Sequence, residues 1–166
     1  QALPDALRQG LFGWEVTDLE VTLLNGEHHI FHTHPLDFVT ATPMGIMNGL
    51  ANAGTLLLEP MIRCRISAPD TVGSRILGDI VGMRGTFDAP VIANGQFEVE
   101  TRLPVATSLD YSVRLGALTG GRGHLSTQFD GYEPCDVSLG ATTPHRGANP
   151  LDQAKYILSI RKAMGG

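Results

Sequence analysis

Four of the six histidines of this chain lie within seven positions, in the segment GEHHIFHTHPLDF at residues 26–38. If the segment is extended, alternate side chains share a face, so His28, His32 and His34 could converge on one zinc ion. Alternatively, it is an exposed loop in which these imidazoles, with His29 and Phe31, stack on unpaired bases of RNA. The residue types leave both hypotheses open, and we assign no metal ligand, because histidine-rich composition alone is weak evidence.

No other motif predicts catalysis. The sequence contains no GxSxG nucleophile elbow and no GxxxxGK[ST] phosphate loop. Cys64 lies in an alternating strand pattern and is expected to pack rather than to react. The glycine-rich TGGRG at residues 119–123 is typical either of a helix end or of a loop that presents Arg122 to a phosphate. We therefore predict no catalytic residue in this chain.

The composition indicates a globular protein with an acidic balance. Of 166 residues, 42% are hydrophobic, and 12 Lys+Arg against 17 Asp+Glu give a formal net charge of −5. That balance argues against general electrostatic binding of nucleic acid, and we expect no DNA partner. The two cysteines form no spaced framework, which predicts reduced thiols and a cytoplasmic protein. We recognise no signal peptide and no run long enough to span a membrane, and the start without Met indicates a piece of a longer protein.

The first third of the chain predicts two helices and a strand. A short helix covers Ala2–Gln9. WEVTDLEVTLL, residues 14–24, alternates apolar and polar side chains and predicts a half-buried strand, followed by a turn at Asn25–Gly26. A second helix is predicted over Leu36–Ala53, restarted at Thr42–Pro43, where Thr can cap and Pro fits a first turn.

From about residue 60 to 130 the pattern is β-α-β-β-α-β, which predicts an α+β fold with a ferredoxin-like domain. A linker, LGATTPHRGANP, then leads to a last helix at about Pro150–Met164.

A small-molecule sensor built on the ferredoxin-like domain is a further alternative to the zinc and RNA hypotheses. The predicted elements of the domain are a strand over Met61–Ala68, a helix from Asp70 to about Gly85, a hairpin over 86–104 with its turn at Asn94–Gly95, a helix over Leu109–Leu118 and a strand over 124–129.

Two long stretches resemble the C-terminal region of elongation factor G. They are LLLEPMIRCRISAPDTVGSRILGDIVGMRGTF and LPVATSLDYSVRLGALTGGRGHLSTQFDGYEP, in which the RG at Arg84–Gly85, the GRG at 121–123 and the YEP at 132–134 match in order and spacing. Upstream, GLFGWEVTD and THPLDF are most similar to the tetracycline-resistance ribosomal protection proteins, which belong to the same superfamily of translational GTPases.

The resemblance implies a domain organisation. Residues 1–58 would be the C-terminal part of a domain IV-like unit, similar to the second domain of a small-subunit ribosomal protein. Residues 59–134 would be a ferredoxin-like domain V, 135–148 a linker, and 149–166 a helix that packs back on the first unit. The GTPase domain, with its GTP and magnesium, would lie upstream, so this chain would hold no cofactor and would not itself be an enzyme.

The resemblance also implies a monomeric factor whose partner is the ribosome, with contacts to RNA of both subunits and to the stalk base. The tip histidine of elongation factor G aligns with His29. The Tyr-Ser-Pro-Val motif of the protection proteins maps onto residues 29–32, which differ from it. Only the flanking frame of Pro35, Asp37 and Phe38 is kept. Drug removal, translocation and another ribosomal task are therefore all compatible with the residues. The expected tip contacts are His28, His29, Ile30, Phe31, His32 and His34, and the expected contacts elsewhere are Arg84, Arg122, His124, Lys155, Arg161 and Lys162.

Overall fold

The computed structural model describes residues 2–140 and 142–164. It divides the chain into two compact units: unit 1 comprises Gln1–Leu57 and Val137–Gly166, and unit 2 comprises Leu58–Asp136. None of the described helices is both long and apolar enough to cross a membrane. In chain order the elements are α1 (Ala2–Leu7), α2 (Pro35–Ala53), β1 (Leu57–Pro69), a 3-10 turn (Asp70–Val72), α3 (Gly73–Gly82), β2 (Thr86–Phe87), β3 (Val91–Ala93), β4 (Gln96–Pro104), α4 (Val105–Ser108), α5 (Tyr111–Thr119), β5 (His124–Cys135) and α6 (Gln153–Met164).

Unit 2 is an antiparallel sheet with the strand order β2-β4-β1-β5, and β3 also pairs with β4. The central pair, β1 and β4, sets Met61 opposite Pro104 and Pro69 opposite Gln96. Two helical crossovers connect strands that are not neighbours, which is the β-α-β-β-α-β arrangement of a ferredoxin-like domain. The α+β fold class predicted from the sequence is therefore confirmed.

One face of this sheet carries the core. Alternate residues of β1 and β4 point to the same side, and α3 and α5 cover them. Burial of this apolar surface supplies most of the stability of the unit. The buried residues are Cys64, Ile66, Ala68, Ile76, Ile80, Met83, Phe97, Val99, Leu103, Tyr111 and Leu115.

The hairpin of unit 2 turns at the predicted dipeptide. Asn94 and Gly95 both have positive φ, at 53° and 75°. Two consecutive positive φ values are characteristic of the tight hairpin turns that favour Asn-Gly. The predicted turn is confirmed, whereas the predicted helix to Gly85 ends earlier, at Gly82, and begins with a 3-10 turn.

In its described residues, unit 1 contains the helices α1, α2 and α6, and α6 lies against α2. The predicted restart of α2 at Thr42–Pro43 is wrong, because the helix runs unbroken through the buried Pro43. Thr42 does not cap; its hydroxyl donates to the carbonyl of Phe38, at 2.7 Å, one turn back. Such back-bonding occupies a helical carbonyl close to the point where Pro43 cannot donate.

The predicted strand over residues 14–24 is also wrong for the described structure, in which this segment has no regular secondary structure. A strand needs a hydrogen-bonded neighbour. No described strand lies within unit 1 apart from the first residue of β1.

Candidate nucleic-acid interface

Residues 25–34, which we call the histidine loop, fold into a turn closed by main-chain bonds. The N–H groups of His32 and Thr33 both donate to the carbonyl of His29, at 3.2 Å and 2.9 Å. The Thr33 hydroxyl in turn accepts the N–H of His29 at 2.8 Å. The backbone is thus fixed at residues 29–33, while the side chains are left to face solvent.

The turn places its rings side by side. His29 and His32 are stacked, with ring centroids 4.7 Å apart and an interplanar angle of 26°. Phe31 is tilted against His29 at 6.1 Å. Ile30 and Phe31 form the most outward part of the turn and are 81% and 79% exposed. The loop therefore presents a cluster of rings and an aliphatic side chain to solvent.

The downstream end of the histidine loop is anchored on α2. The Asp37 carboxylate accepts the N–H of His34 at 2.8 Å. Pro35 occupies the first turn of the helix, where its missing N–H costs nothing. An acidic side chain in this turn also interacts favourably with the helix dipole. The loop consequently enters the helix in a defined direction.

The extended geometry that would direct His28, His32 and His34 to one zinc ion is not formed, because residues 30–32 make a turn. Across residues 2–140 and 142–164, no three His, Cys, Asp or Glu side chains lie close enough together to hold a metal ion. The histidine loop as it stands does not have the arrangement that the zinc hypothesis requires.

The charge around the histidine loop is unusual for an RNA contact. Residues 9–62 contain no Lys and no Arg, but they include Glu15, Asp18, Glu20, Glu27 and Asp37. Attraction of phosphates normally comes from Lys and Arg. The side chains of this loop therefore offer stacking, apolar contact and hydrogen bonds, but no Lys or Arg charge for a phosphate.

Arg84 lies at the end of the first helix of unit 2, with φ at +62°. Its guanidinium donates to both carboxylate oxygens of Glu59, each at 2.8 Å. These hydrogen bonds hold the pKa of Glu59 below its usual value, against the opposing effect of burial. A ribosome contact by Arg84 stays a prediction, and it would require breaking this ion pair.

The glycine-rich loop of unit 2 ends α5 and exposes no free run of amides. Gly120 is left-handed, and the N–H groups of Gly120, Gly121 and Arg122 donate to carbonyls in the last turn of the helix. The N–H of Gly123 donates to the buried hydroxyl of Thr119 at 2.8 Å. The Nε of Arg122 also donates to the carbonyl of Thr119, at 3.3 Å, so the helix-end interpretation of TGGRG describes its backbone. The exposed side chain of His124 and the terminal nitrogens of Arg122 are left for a phosphate.

The basic residues of α6 are exposed. Lys155 is paired with Asp152 at 2.8 Å on the surface, a contact of little energetic weight. Arg161 and Lys162 lie in the last turn, where a positive charge suits the helix dipole. A contact with RNA and ordinary solvation both fit this placement.

Comparison with known proteins identifies the family. The profile "Elongation factor G C-terminus" matches residues 56–142, more than half of the chain, and the profile "Elongation factor G, domain IV" matches residues 1–54. This chain belongs to the elongation factor G family. The resemblance inferred from LLLEP, RG, GRG and YEP is confirmed.

Two relatives place this elongation factor G-family chain further. It is 35% identical over 158 residues to the tetracycline resistance protein TetP of Clostridium perfringens. The aligned region covers 95% of this chain and 24% of TetP. The chain thus spans about a quarter of the length of this curated relative. It also superposes on the crystal structure of ttk003000868 from Thermus thermophilus with a TM-score of 0.66, at 24% identity, over 99% of this chain and 23% of that one, which supports the fold.

The open face of the sheet in this elongation factor G-family chain was not identified from the sequence. Arg63, Arg65 and Arg102 project from β1 and β4, and each is paired with a carboxylate. Alternation of Arg63 and Arg65 was visible in the sequence, but their partners lie on other strands. Because these cations are neutralised locally, the face offers little attraction for phosphates. The acidic partners are Glu98, Glu100, Asp130 and Glu133.

Proposed function

We propose that this chain is the ribosome-contacting C-terminal portion of a translational GTPase of the ribosomal protection type. In this proposal the histidine loop is the tip that touches RNA at the decoding centre. GTP and magnesium belong to an upstream domain of the full-length protein, which acts as a monomer on one ribosome.

The observation that carries the proposal is the exposed ring cluster of the histidine loop. Single apolar side chains are often exposed on a folded protein, but a contiguous cluster of them is one mark of an interaction surface. Unpaired RNA bases stack on ring faces and pack against apolar side chains. The loop offers both, in the stacked rings of His29 and His32 and in the exposed side chains of Ile30 and Phe31. The hydrogen bonds to Thr33 and Asp37 reduce the entropy lost on binding, because the loop is already ordered.

The remaining contacts divide by chemistry. The loop itself lies in a stretch without Lys or Arg, so it contributes shape-dependent contacts. Phosphate contacts would come from Arg122 and His124 in unit 2, towards the large-subunit stalk base, and from Lys155, Arg161 and Lys162 on α6. Several weak contacts on one polypeptide add up to strong binding, so an acidic net charge is compatible with a ribosomal partner.

The likeness to TetP makes drug removal from the ribosome one candidate task of the full-length protein. Only the frame of the protection motif is kept, at Pro35, Asp37 and Phe38 just after the histidine loop, and residues 29–32 are His, Ile, Phe and His. We therefore propose ribosome contact at the same place, with the drug-related task to be tested by expression in a sensitive host.

The proposal is tested by binding of the full-length protein to ribosomes with a non-hydrolysable GTP analogue. The test variant is Ile30→Ala with Phe31→Ala, and the matched control is Val91→Ala with Ile92→Ala, which removes exposed apolar side chains of unit 2. Loss of a base-stacking contact is worth about 1–3 kcal/mol, so we expect roughly tenfold or greater weakening for the loop variant. Equal affinities for both variants would contradict the assignment of the loop.

A further inference from the structure

Unit 1 contains a cleft that the contacts proposed above do not use. Its lining joins two stretches that are far apart in the sequence, residues 8–15 and residues 143–146. The volume of the cleft is about 460 Å³, within the roughly 300–1,000 Å³ that is typical of sites for small ligands. The residues that line it are Arg8, Gly13, Trp14, Glu15, Thr143 and Arg146.

Main-chain contacts hold the two walls of the cleft together. The N–H of Thr143 donates to the carbonyl of Phe12 at 2.9 Å. Gly13 has φ at +79°, and a Cβ there would lie 1.9 Å from the carbonyl oxygen of Thr143, so only glycine fits. The side-chain amide of Gln9 accepts the N–H of Arg146 at 2.7 Å and donates to its carbonyl at 3.4 Å. The walls are therefore positioned by the fold of unit 1 itself.

The charge of this cleft differs from that of its surroundings. Arg8 is the only Lys or Arg in residues 1–57, and the fold brings the distant Arg146 to the same cleft. The ion pair of Arg8 with Asp5 is long, at 3.5 Å, and both side chains are more than 70% exposed, so it holds the guanidinium weakly. Two guanidinium groups thus line one cleft, opposed among the lining residues by Glu15, and guanidinium groups bind phosphate through paired N–H donors.

Trp14 gives the cleft an aromatic ring as well as charge. The single tryptophan of the chain is 52% exposed, although tryptophan is usually buried over most of its surface. A ring and arginines in one cleft suit a single-stranded nucleotide, because its base stacks on the ring while its phosphates bind the guanidinium groups. An acidic peptide would use the arginines but would leave the ring uncovered.

We propose that this cleft holds one unpaired nucleotide of ribosomal RNA, with its base on Trp14 and its adjoining phosphates on Arg8 and Arg146. The inference rests on the ribosome binding of the proposed function, but it concerns a second site of opposite character. The histidine loop has no Lys or Arg, whereas two arginines line this cleft. Grouped in this way, the arginines create a local attraction for phosphates within a unit whose first 57 residues hold no other Lys or Arg.

Hydroxyl-radical footprinting of Trp14 in the full-length protein tests the site directly. We expect the ring to be oxidised in the free protein, and to be protected severalfold when the protein is bound to ribosomes with a non-hydrolysable GTP analogue. Equal oxidation in the two states would overturn the proposal. Protection already present in the free protein would also overturn it, because another part of the polypeptide would then cover the cleft. Protection by micromolar AMP without ribosomes would overturn it too, because the ligand would then be a free nucleotide.

Two charge variants with opposite expected effects test the chemistry. Arg8→Ala with Arg146→Ala removes both guanidinium groups and keeps the Gln9 contacts, which use the main chain of Arg146. We expect weaker ribosome binding, and a slope of log affinity against log salt that is lower by about 1 for each arginine. Glu15→Gln removes the opposing charge and should tighten binding roughly twofold. Unchanged affinity and slope in the double variant would overturn the proposal.

A matched pair of substitutions at Trp14 tests stacking. Trp14→Ala removes the ring and should weaken ribosome binding roughly tenfold, with little change in the salt slope. Trp14→Phe keeps a ring and should retain most of the affinity. Equal losses in the two variants would contradict stacking on this side chain.

The same binding assay separates this site from the histidine loop. If the cleft holds no RNA, Ile30→Ala with Phe31→Ala still weakens binding, whereas the variants of Arg8, Trp14 and Arg146 bind like the wild type. If the loop assignment is wrong and the cleft is a true site, the pattern is reversed.

Discussion

The guanidinium of Arg84 and the carboxylate of Glu59 form a two-pronged ion pair, with both N···O distances at 2.8 Å. It joins the start of β1 to the second residue after α3, where the backbone of Arg84 is left-handed at φ +62°. The side chains of Arg84 and Glu59 are 31% and 14% exposed, so the pair is partly shielded from water. Arg84 therefore stabilises unit 2, whatever else it contacts.

Replacing Arg84 by Ala should destabilise unit 2. The change leaves the partly shielded Glu59 carboxylate without its donors, and we expect a loss of about 2 kcal/mol in the free energy of unfolding. Arg84→Lys keeps the charge but not the fork, so its loss should be smaller. Urea unfolding measures both. The control is Arg122→Ala, which removes an exposed side chain with a single long hydrogen bond, 3.3 Å from its Nε to the Thr119 carbonyl, and should change stability little. A loss as large as that of Arg84→Ala would contradict this account.

The same pair predicts a pH dependence. Because Arg84 lowers the pKa of Glu59 in the folded protein, the folded state binds this proton less readily than the unfolded state. The stabilisation is fully present above the usual titration range of a Glu side chain, and it is lost as the pH falls through the lowered pKa. The stability difference between wild type and Arg84→Ala should therefore shrink on acidification from neutral pH. A difference that stays constant down to strongly acidic pH would contradict the role assigned to the pair.

Thr33 positions the histidine loop. Its hydroxyl accepts the His29 N–H at 2.8 Å, so Thr33→Val should loosen the turn and speed amide exchange at residues 29–33. Thr33→Ser keeps the hydroxyl and serves as the control. We expect the Val variant to bind ribosomes more weakly, by less than the loss of the rings themselves. Unchanged exchange in Thr33→Val would show that the hydroxyl does not hold the loop.

Salt dependence separates the two kinds of proposed contact. The histidine loop has no Lys or Arg, so alanine at Ile30 and Phe31 should weaken ribosome binding equally at all salt concentrations. Alanine at Arg161 and Lys162 should instead lower the slope of log affinity against log salt by roughly 1 for each lost phosphate contact. Binding measured from low to moderate salt distinguishes these results. An unchanged slope for the α6 variant would remove α6 from the interface.

The sequence predicted those features of the fold that depend on residues close together in the chain. Asn94–Gly95 specifies its turn by its own φ preferences, so the hairpin and the ferredoxin-like order were readable. Pairing across the chain was not readable. Glu59 and Arg84 are 25 residues apart, and nothing in either neighbourhood selects the other. Residues 14–24 do alternate apolar and polar side chains, as a strand would. A strand also needs a hydrogen-bonded neighbour, which the described residues do not supply.

The candidate site shows the same division. The histidine loop was evident as a cluster, and its turn depends on Thr33 and His29 in a way that composition does not reveal. The glycines after α5 indicated a helix end or a phosphate loop equally well, because both use left-handed glycines. Only the internal bonding of their amides separates the two interpretations.

The central claim is that the histidine loop contacts RNA at the decoding centre, and chemical probing of ribosomal RNA tests it most directly. The full-length protein, held by a non-hydrolysable GTP analogue, is compared with a variant carrying alanine at His28, His29, His32 and His34. We predict that the wild type protects decoding-centre bases, and that the variant loses these protections while it retains those elsewhere on the ribosome. Identical protection by the two proteins would contradict the claim.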